Sequence, residues 1–369
     1  MNVLHICNDF SYSKVYQNLY QELDKLGVKQ LIYHPLRNRN NIGKNCFEFE
    51  VCGSNIIYSK FILKKYHRIL FSLKIRSIFK DIKEQIDLKS VDILYPTTLF
   101  SDGAVAYNIF KEFGVPYVVA VRNTDVNTFL KFRPDLISLA HKILSNASKI
   151  IFISEGLRRK FFSSRYFVGK KDLYLKNTLV ISNGIDNYWL DNLKPKTNVE
   201  KNNLLFIGRF DHNKNAETVI KCLEKLRADF PDIQLNLVGG GGNNSKKIEA
   251  LIRKYNDWIR FYGFISDKQE LAKIFAQNKF FIMPSVFETF GLVYIEALSQ
   301  GLPVLYTKNQ GIDGLFGKEI GESTTPDEKS VRYALYNLMK RYDYNIDKVD
   351  FDGYRWNNIA HKYLELFKN

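Results

Sequence analysis

Phe280-Phe-Ile-Met283-Pro-Ser-Val-Phe-Glu288-Thr-Phe-Gly291-Leu-Val-Tyr-Ile-Glu296-Ala-Leu-Ser-Gln-Gly301-Leu-Pro303-Val304 reads as a buried strand, a short loop, a helix, a tight turn and the entry to another strand. Leu292, Ile295 and Leu298 recur at helical spacing and mark the apolar side of that helix. A helix that starts in a loop just after a strand offers open backbone N–H groups to an anion, here those of Phe290, Gly291 and Leu292. Glycine at 291 lets a ligand approach the backbone closely. Glu288, before the helix, and Glu296, two turns into it, bracket the anion site. Carboxylates make poor phosphate ligands. The two are therefore read as acceptors of hydrogen bonds from sugar hydroxyls rather than as solvated surface groups.

The same strand-then-helix rhythm extends outward in both directions. In the second half, strands are expected at 204–207, 233–238, 260–262, 280–283 and 304–306, with helices at 216–230, 246–255, 268–277, 292–300 and 329–342. A polar stretch, 186–203, precedes them and contains Pro195. Before it, strands are expected at 3–7, 30–34, 47–51, 92–95, 117–121, 150–153 and 179–181, with helices at 15–26, 62–82, 102–113, 130–146 and 155–162. This alternation predicts an α/β protein with parallel sheets covered by helices on both faces. A chain of 369 residues fits two such domains. The expected division is 1–186, a linker at 187–203, 204–345, and a segment 346–369 whose helix packs back on the first domain. Sheets of this kind bind ligands beyond the C-terminal ends of their strands.

Charge is unevenly spread. The chain carries a net +15, and residues 1–190 hold 28 Lys and Arg against 16 Asp and Glu. An anionic partner for the first half follows, and without a nucleic-acid motif a membrane surface is favoured over nucleic acid. Within 59–80, Ile62, Tyr66, Ile69 and Leu73 recur at helical spacing among Lys60, Lys64, Lys65, Arg68, Lys74, Arg76 and Lys80. Such a helix suits an anionic bilayer surface, and equally suits a core-packed helix with a solvated basic face. Cys7, Cys46, Cys52 and Cys222 lack metal-ligand spacing and read as buried thiols of a reducing compartment. Residues 1–7 enter a strand without a basic leader. No apolar run reaches the roughly 20 residues of a spanning helix. A cytoplasmic protein is expected, free or held on the inner face of a membrane.

A second motif, Leu204-Leu-Phe-Ile-Gly208-Arg209-Phe-Asp-His-Asn-Lys214-Asn215, places two cations five residues apart across a loop that follows a strand. They suit the oxygens of an anionic ligand, through charge-assisted hydrogen bonds roughly twice as strong as neutral ones. This motif, the Glu288-x7-Glu296 element, the turn Val238-Gly239-Gly-Gly-Gly242, Gly301-Leu-Pro303-Val304, Asn183-Gly-Ile-Asp186 and the Trp356 region together resemble the retaining GT-B glycosyltransferases of group 1, the family-four type. The resemblance runs from about residue 100 to the end. It implies two Rossmann-like doubly wound domains facing across a cleft, an acceptor-side first domain and a nucleotide-sugar-binding second domain. It also implies transfer from a nucleotide diphosphate sugar to a glycan or lipid-linked acceptor, with net retention, without a metal and without a further cofactor. Arg209 and Lys214 would meet the diphosphate, Glu288 the transferred sugar and Glu296 the ribose. Gly208, Gly239, Phe290, Gly291 and Leu292 would complete the donor site. The same fold would also suit a nucleotide-sugar epimerase, or a silent binding subunit that had lost Glu288, Arg209 or Lys214; all three are present.

Two segments depart from the family pattern. The loop Asn8-Asp-Phe-Ser-Tyr-Ser-Lys14 has no glycine where relatives carry a Gly-Gly pair, leaving Ser13 and Lys14 as candidate contacts. Arg122-Asn-Thr-Asp125 stands where relatives carry His-Gly-x-Asp. Arginine cannot shuttle a proton at neutral pH. Arg122 is therefore expected either to bind an anionic group of donor or acceptor, with Asp125 orienting it, or to pair with Asp125 and stiffen the loop.

Overall fold

The structure, a computed structural model, describes residues 1–341 and 343–368. The chain forms two compact units. The first is built from Met1–Ile153, Leu157–Gly184 and the segment from Trp356 onward, and the second from Ser154–Gly156 and Ile185–Arg355.

In the first unit the strands are β1 (Asn2–Ile6), β2 (Lys29–Leu36), β3 (Asn55–Ile62), β4 (Ile93–Pro96), β5 (Val118–Val121), β6 (Lys149–Phe152) and β7 (Thr178–Val180). All are paired in parallel, in the orders β3-β2-β1-β4 and β5-β6-β7. A single bridge between Leu94 and Tyr117 joins the two sets. Val118 to Val121 are wholly buried, the continuous apolar run of a strand covered on both faces. The helix Lys14–Lys25 turns Tyr16, Leu19, Tyr20 and Leu23 onto β1, one face at helical spacing. The helix Trp356–Lys368 brings Ile359, Ala360, Tyr363 and Phe367 into that same core. Gly184 is required there, because a Cβ on it would stand 2.6 Å from the Trp356 ring.

The second unit carries β8 (Asn203–Arg209), β9 (Gln234–Gly240), β10 (Ile259–Phe261), β11 (Phe280–Ile282), β12 (Val304–Thr307) and β13 (Gly321–Thr324) in the order β10-β9-β8-β11-β12-β13. Every pairing is parallel. Strand order therefore reverses beside β8, whose C-terminal end carries Gly208 and Arg209. That reversal is where doubly wound sheets leave a crevice for ligands.

Several expected elements differ. No strand forms at 47–51. Phe47 and Phe49 tuck against the core with rings 4.4 Å apart. The N–H groups of Glu50 and Val51 bond the Asp24 carboxylate at 2.6 and 3.4 Å instead of a neighbouring strand. The sheet edge belongs to β3. The expected helix 62–82 is broken accordingly: residues to Ile62 are strand, Lys65–Arg68 is a short 3-10 turn, and the helix proper is Phe71–Gln85. The basic residues of 59–80 thus do not share one helix. The helix expected at 130–146 is interrupted at Pro134, and only Ile137–Asn146 is long. Strand β13 was not expected at all. The stretch 187–203 falls within the second unit and opens with a short helix, Asn187–Asp191. Residues 346–355 also fall within that unit. The helix expected at 329–342 is Glu328–Lys340; Tyr342 lies outside the described residues. Cys46 and Cys52 are exposed, while Cys7 and Cys222 are buried.

Candidate functional site

At the reversal in the second unit, two strand ends and two loops converge. Gly208 and Gly239 lie side by side in the parallel pairing of β8 and β9. Gly239 has φ +133°, and a Cβ there would lie 1.9 Å from the Gly208 carbonyl oxygen, so only glycine closes this corner. The following turn, His212–Lys214, is zipped to the 284–288 loop. Val286 N–H donates to Asn213 O at 2.8 Å, Phe287 N–H to Asn213 Oδ1 at 3.0 Å, and Asn213 Nδ2 to Phe287 O at 2.9 Å. Asn215, with φ +64°, donates through Nδ2 to Pro284 O and Pro326 O at 3.0 and 2.8 Å. Asparagine is among the few residues that adopt this left-handed conformation readily.

These contacts bring Lys214 to Glu288. The ammonium and carboxylate are 2.7 Å apart, with side chains 25% and 11% exposed. Glu288 Oε2 also accepts from Ser285 Oγ at 3.3 Å, and Oε1 from Thr289 N–H at 3.1 Å. Gln310 Oε1 accepts from the Glu288 backbone N–H at 3.3 Å, and Gly311 N–H donates to Glu288 O at 3.2 Å. Just beyond, the helix Leu292–Ser299 starts at Gly291, φ +76°, with no side-chain cap. Its first N–H groups therefore keep their positive end for a ligand. Phe290 is buried behind it. Lys214, Glu288, Gly208, Gly239, Phe290, Gly291 and Leu292 thus line one corner of one unit.

Arg209 and Glu296 stand apart from that ion pair. The Arg209 side chain is 73% exposed, with Nε 3.4 Å from Asp211 Oδ2. Glu296 lies farther along the helix, where burial pushes its carboxyl up to about 7; the nearby Asp186 adds to the shift and Lys268 opposes it. Lys268 is itself paired with Asp186. Among the described residues no three His, Cys, Asp or Glu side chains group as a metal would need.

The remaining candidates belong to the first unit. Ser13 caps the helix Lys14–Lys25, its Oγ accepting from Val15 N–H at 3.3 Å, and Lys14 is exposed on the first turn. The Arg122 guanidinium turns inward. Nε donates to Thr97 O at 3.2 Å, Nη2 to Tyr95 OH at 3.3 Å, and the group lies 5.8 Å over the Tyr16 ring. The Asp125 carboxylate is taken by the backbone N–H groups of Arg122, Leu99 and Phe100, at 2.8, 3.0 and 3.2 Å. The expected guanidinium–carboxylate pair is not made; Asp125 holds the Arg122 backbone instead. Burial pushes the Asp125 carboxyl up to about 6, and the three N–H donors pull it back.

Sequence reasoning passed over Asn213, Asn215, Ser285 and Gln310. Asn213, Asn215 and Gln310 reach backbone groups on loops remote in the chain, while Ser285 bonds Glu288 within its own loop, and the signal available was limited to polar residues flanking the two glycine motifs.

Residues 190–330 match the model of the family described as glycosyl transferases group 1. An uncharacterized glycosyltransferase of Methanocaldococcus jannaschii is 26% identical over 280 residues, covering 74% of this chain and 72% of that protein. Among solved structures, sucrose-phosphate synthase from Thermosynechococcus elongatus superposes with a TM-score of 0.71 at 19% identity, covering 100% of this chain and 98% of that one. HepE from Anabaena in complex with UDP gives 0.71 at 16%, covering 100% of both.

Proposed function

We propose that the chain is a glycosyltransferase of group 1, a reading supported by the family match over residues 190–330 and by the GT-B fold, and that it moves a sugar from a nucleoside diphosphate sugar to a glycan or lipid-linked acceptor with net retention. The observation that carries this reading is the Lys214–Glu288 ion pair beside an uncapped helix start and a corner closed by two glycines. The solved neighbour that holds UDP supports a nucleoside diphosphate as the ligand.

In this reading the diphosphate rests on the backbone at Gly291 and Leu292. Lys214 has three N–H bonds to give. One goes to Glu288, leaving others for a phosphate oxygen, and exposed Arg209 swings to the same oxygens. The bond from the anomeric carbon to the diphosphate breaks, leaving positive charge on the sugar ring and negative charge on the leaving group. Glu288 faces the sugar, and Glu296 accepts from the ribose hydroxyls. The acceptor oxygen attacks from the same face, and its proton passes to a diphosphate oxygen. Cationic side chains and helix N–H groups perform the neutralisation, so the reaction proceeds without a metal ion. We assign the product to a surface polysaccharide or glycolipid made on the cytoplasmic side of a membrane.

The test is a thermal-stabilisation screen against UDP-, GDP-, ADP- and dTDP-sugars, followed by transfer assays with the stabilising donor and NMR of the product's anomeric centre. An anomeric configuration opposite to that of the donor overturns retention. Stabilisation by none of the four overturns the donor class.

A further inference from the structure

A cavity of about 610 Å³ opens in the first unit. It gathers residues that follow five strands: Asn8 after β1, Arg37 after β2, Leu63 after β3, Thr98 after β4 and Thr124 after β5. That is the C-terminal edge of the sheet, where this architecture places ligands. Its charge is one-sided. Arg37, Lys64, Lys65, Arg68, Lys74 and Arg133 line it, against only Asp9 and Asp125 among carboxylates. Asp9 is 3.4 Å from Arg37. The Asp125 oxygens are occupied by backbone N–H groups.

Lys74 is the innermost cation with no carboxylate in contact. Its ammonium donates to Ser101 Oγ at 2.8 Å. Burial pushes it down to about 8, Asp102 pulls it up and Arg37 pushes it down again. An ammonium held this way gains from an anionic guest.

The other wall is apolar. Leu63, Phe71, Phe129 and Phe132 line it. Phe132 is 64% exposed, and Ile69 and Leu70, between the lining residues Arg68 and Phe71, are 79% and 51% exposed. Scattered exposed apolar residues need no explanation, but a cluster beside a cationic cavity does. A bare phosphate would use the cations and leave the aromatic wall idle. A neutral hydrophobe would do the reverse.

We propose that this cavity binds a phosphate-bearing lipid, its phosphate on Lys74, Arg37 and Arg68 and its hydrocarbon along Phe71, Phe129 and Phe132. The glycosyl-transfer reading enters only in making that lipid the acceptor; the binding site stands on its own geometry.

The test uses the full chain and short-chain lipids below their micelle concentration, titrated by calorimetry. Dihexanoyl phosphatidic acid is expected to bind at least about tenfold more tightly than dihexanoylglycerol, which lacks the phosphate, or inorganic pyrophosphate, the scale of a charge-assisted hydrogen bond. Lys74→Met and Phe132→Ser should each weaken phosphatidic acid by a similar factor while leaving nucleoside diphosphate binding unchanged, which also reports that both variants fold. Equal binding of phosphatidic acid and dihexanoylglycerol overturns the phosphate assignment. Pyrophosphate binding as tightly as phosphatidic acid overturns the lipid and leaves a soluble-anion site. Unchanged phosphatidic acid binding in both variants overturns the location. Failure of the transfer reading shows elsewhere, as no donor binding with lipid binding intact.

Discussion

Lys214 Nζ sits 2.7 Å from Glu288 Oε2, an ion pair that joins two loops 74 residues apart in the chain. The pair sets the two loops, and in the proposed reaction each partner also meets the donor. Lys214→Ala is expected to lower turnover about 100-fold, the usual worth of one preorganised donor aimed at developing charge. Glu288→Ala should lower transfer comparably yet leave nucleoside diphosphate affinity nearly intact, as read by calorimetry. Loss of nucleotide affinity in Glu288→Ala, with transfer retained, would exchange the roles proposed for Glu288 and Glu296.

Arg209 offers the cleaner measurement. Its side chain is mostly solvent-exposed, and its contact with Asp211 is a surface ion pair worth little to stability. Arg209→Ala should therefore lower turnover about 100-fold at unchanged melting temperature. Turnover within threefold of wild type, with Lys214→Ala behaving likewise, removes both cations from the chemistry.

The Glu296 carboxyl, pushed up to about 7 by burial, changes charge near neutrality. Its ionised form is the better acceptor for ribose hydroxyls. Affinity for a nucleotide sugar, whose diphosphate has no ionisation nearby, should weaken as pH falls through about 7. Glu296→Gln should flatten that dependence. For folding the sign is opposite. The neutral form is favoured in the folded state, so this group's contribution is complete below the ordinary glutamate range and is lost as pH rises through about 7. A flat wild-type affinity profile from pH 6 to 8 would contradict the ribose role.

Arg122 is expected to behave as a structural cation. Truncation to Ala strips partners from Thr97 O, Tyr95 OH and the Tyr16 ring, at a cost of about 2–4 kcal/mol in denaturant unfolding. Arg122→Lys cannot restore the planar fork and should recover only part of this. Full stability with lost activity in Arg122→Lys would instead mean that the guanidinium leaves its tyrosine nest to bind substrate.

Transfer should be insensitive to a chelator and gain nothing from added Mg²⁺ or Mn²⁺. A strict requirement for either would show that Lys214, Arg209 and the helix start do not suffice for the diphosphate.

The strand-loop-helix at 280–304 was legible because strand burial, Gly291 and the helical spacing of Leu292, Ile295 and Leu298 all agree locally. The parallel architecture followed from repetition of that unit. Residues 47–51 misled because Phe47 and Phe49 are aromatic for packing under a loop, not for pairing at a sheet edge. Strand β13, Gly321-Glu-Ser-Thr324, escaped because it carries no apolar run, although it pairs with β12 from Val304 through Thr307. Glu288, Glu296, Arg209 and Lys214 could be singled out from spacing as candidates. Their pairing could not, since Asn213 and Gln310 hold Glu288 and Lys214 together only in three dimensions. The direction of the Arg122 side chain was equally invisible, because its partners Tyr16 and Tyr95 lie on other elements.

The helix Trp356–Lys368 completes the core of a unit that begins at Met1, and Tyr363 OH lies 3.0 Å from Tyr95 OH, the group that also receives Arg122. During synthesis this helix leaves the ribosome only after the whole second unit has been made. Translation at roughly 5–20 residues per second therefore leaves the first unit waiting many seconds with an open apolar face. Nascent chains would expose that face to chaperones, and a stalled ribosome or premature stop shortly before Trp356 would release a protein whose second unit is complete and whose first is not.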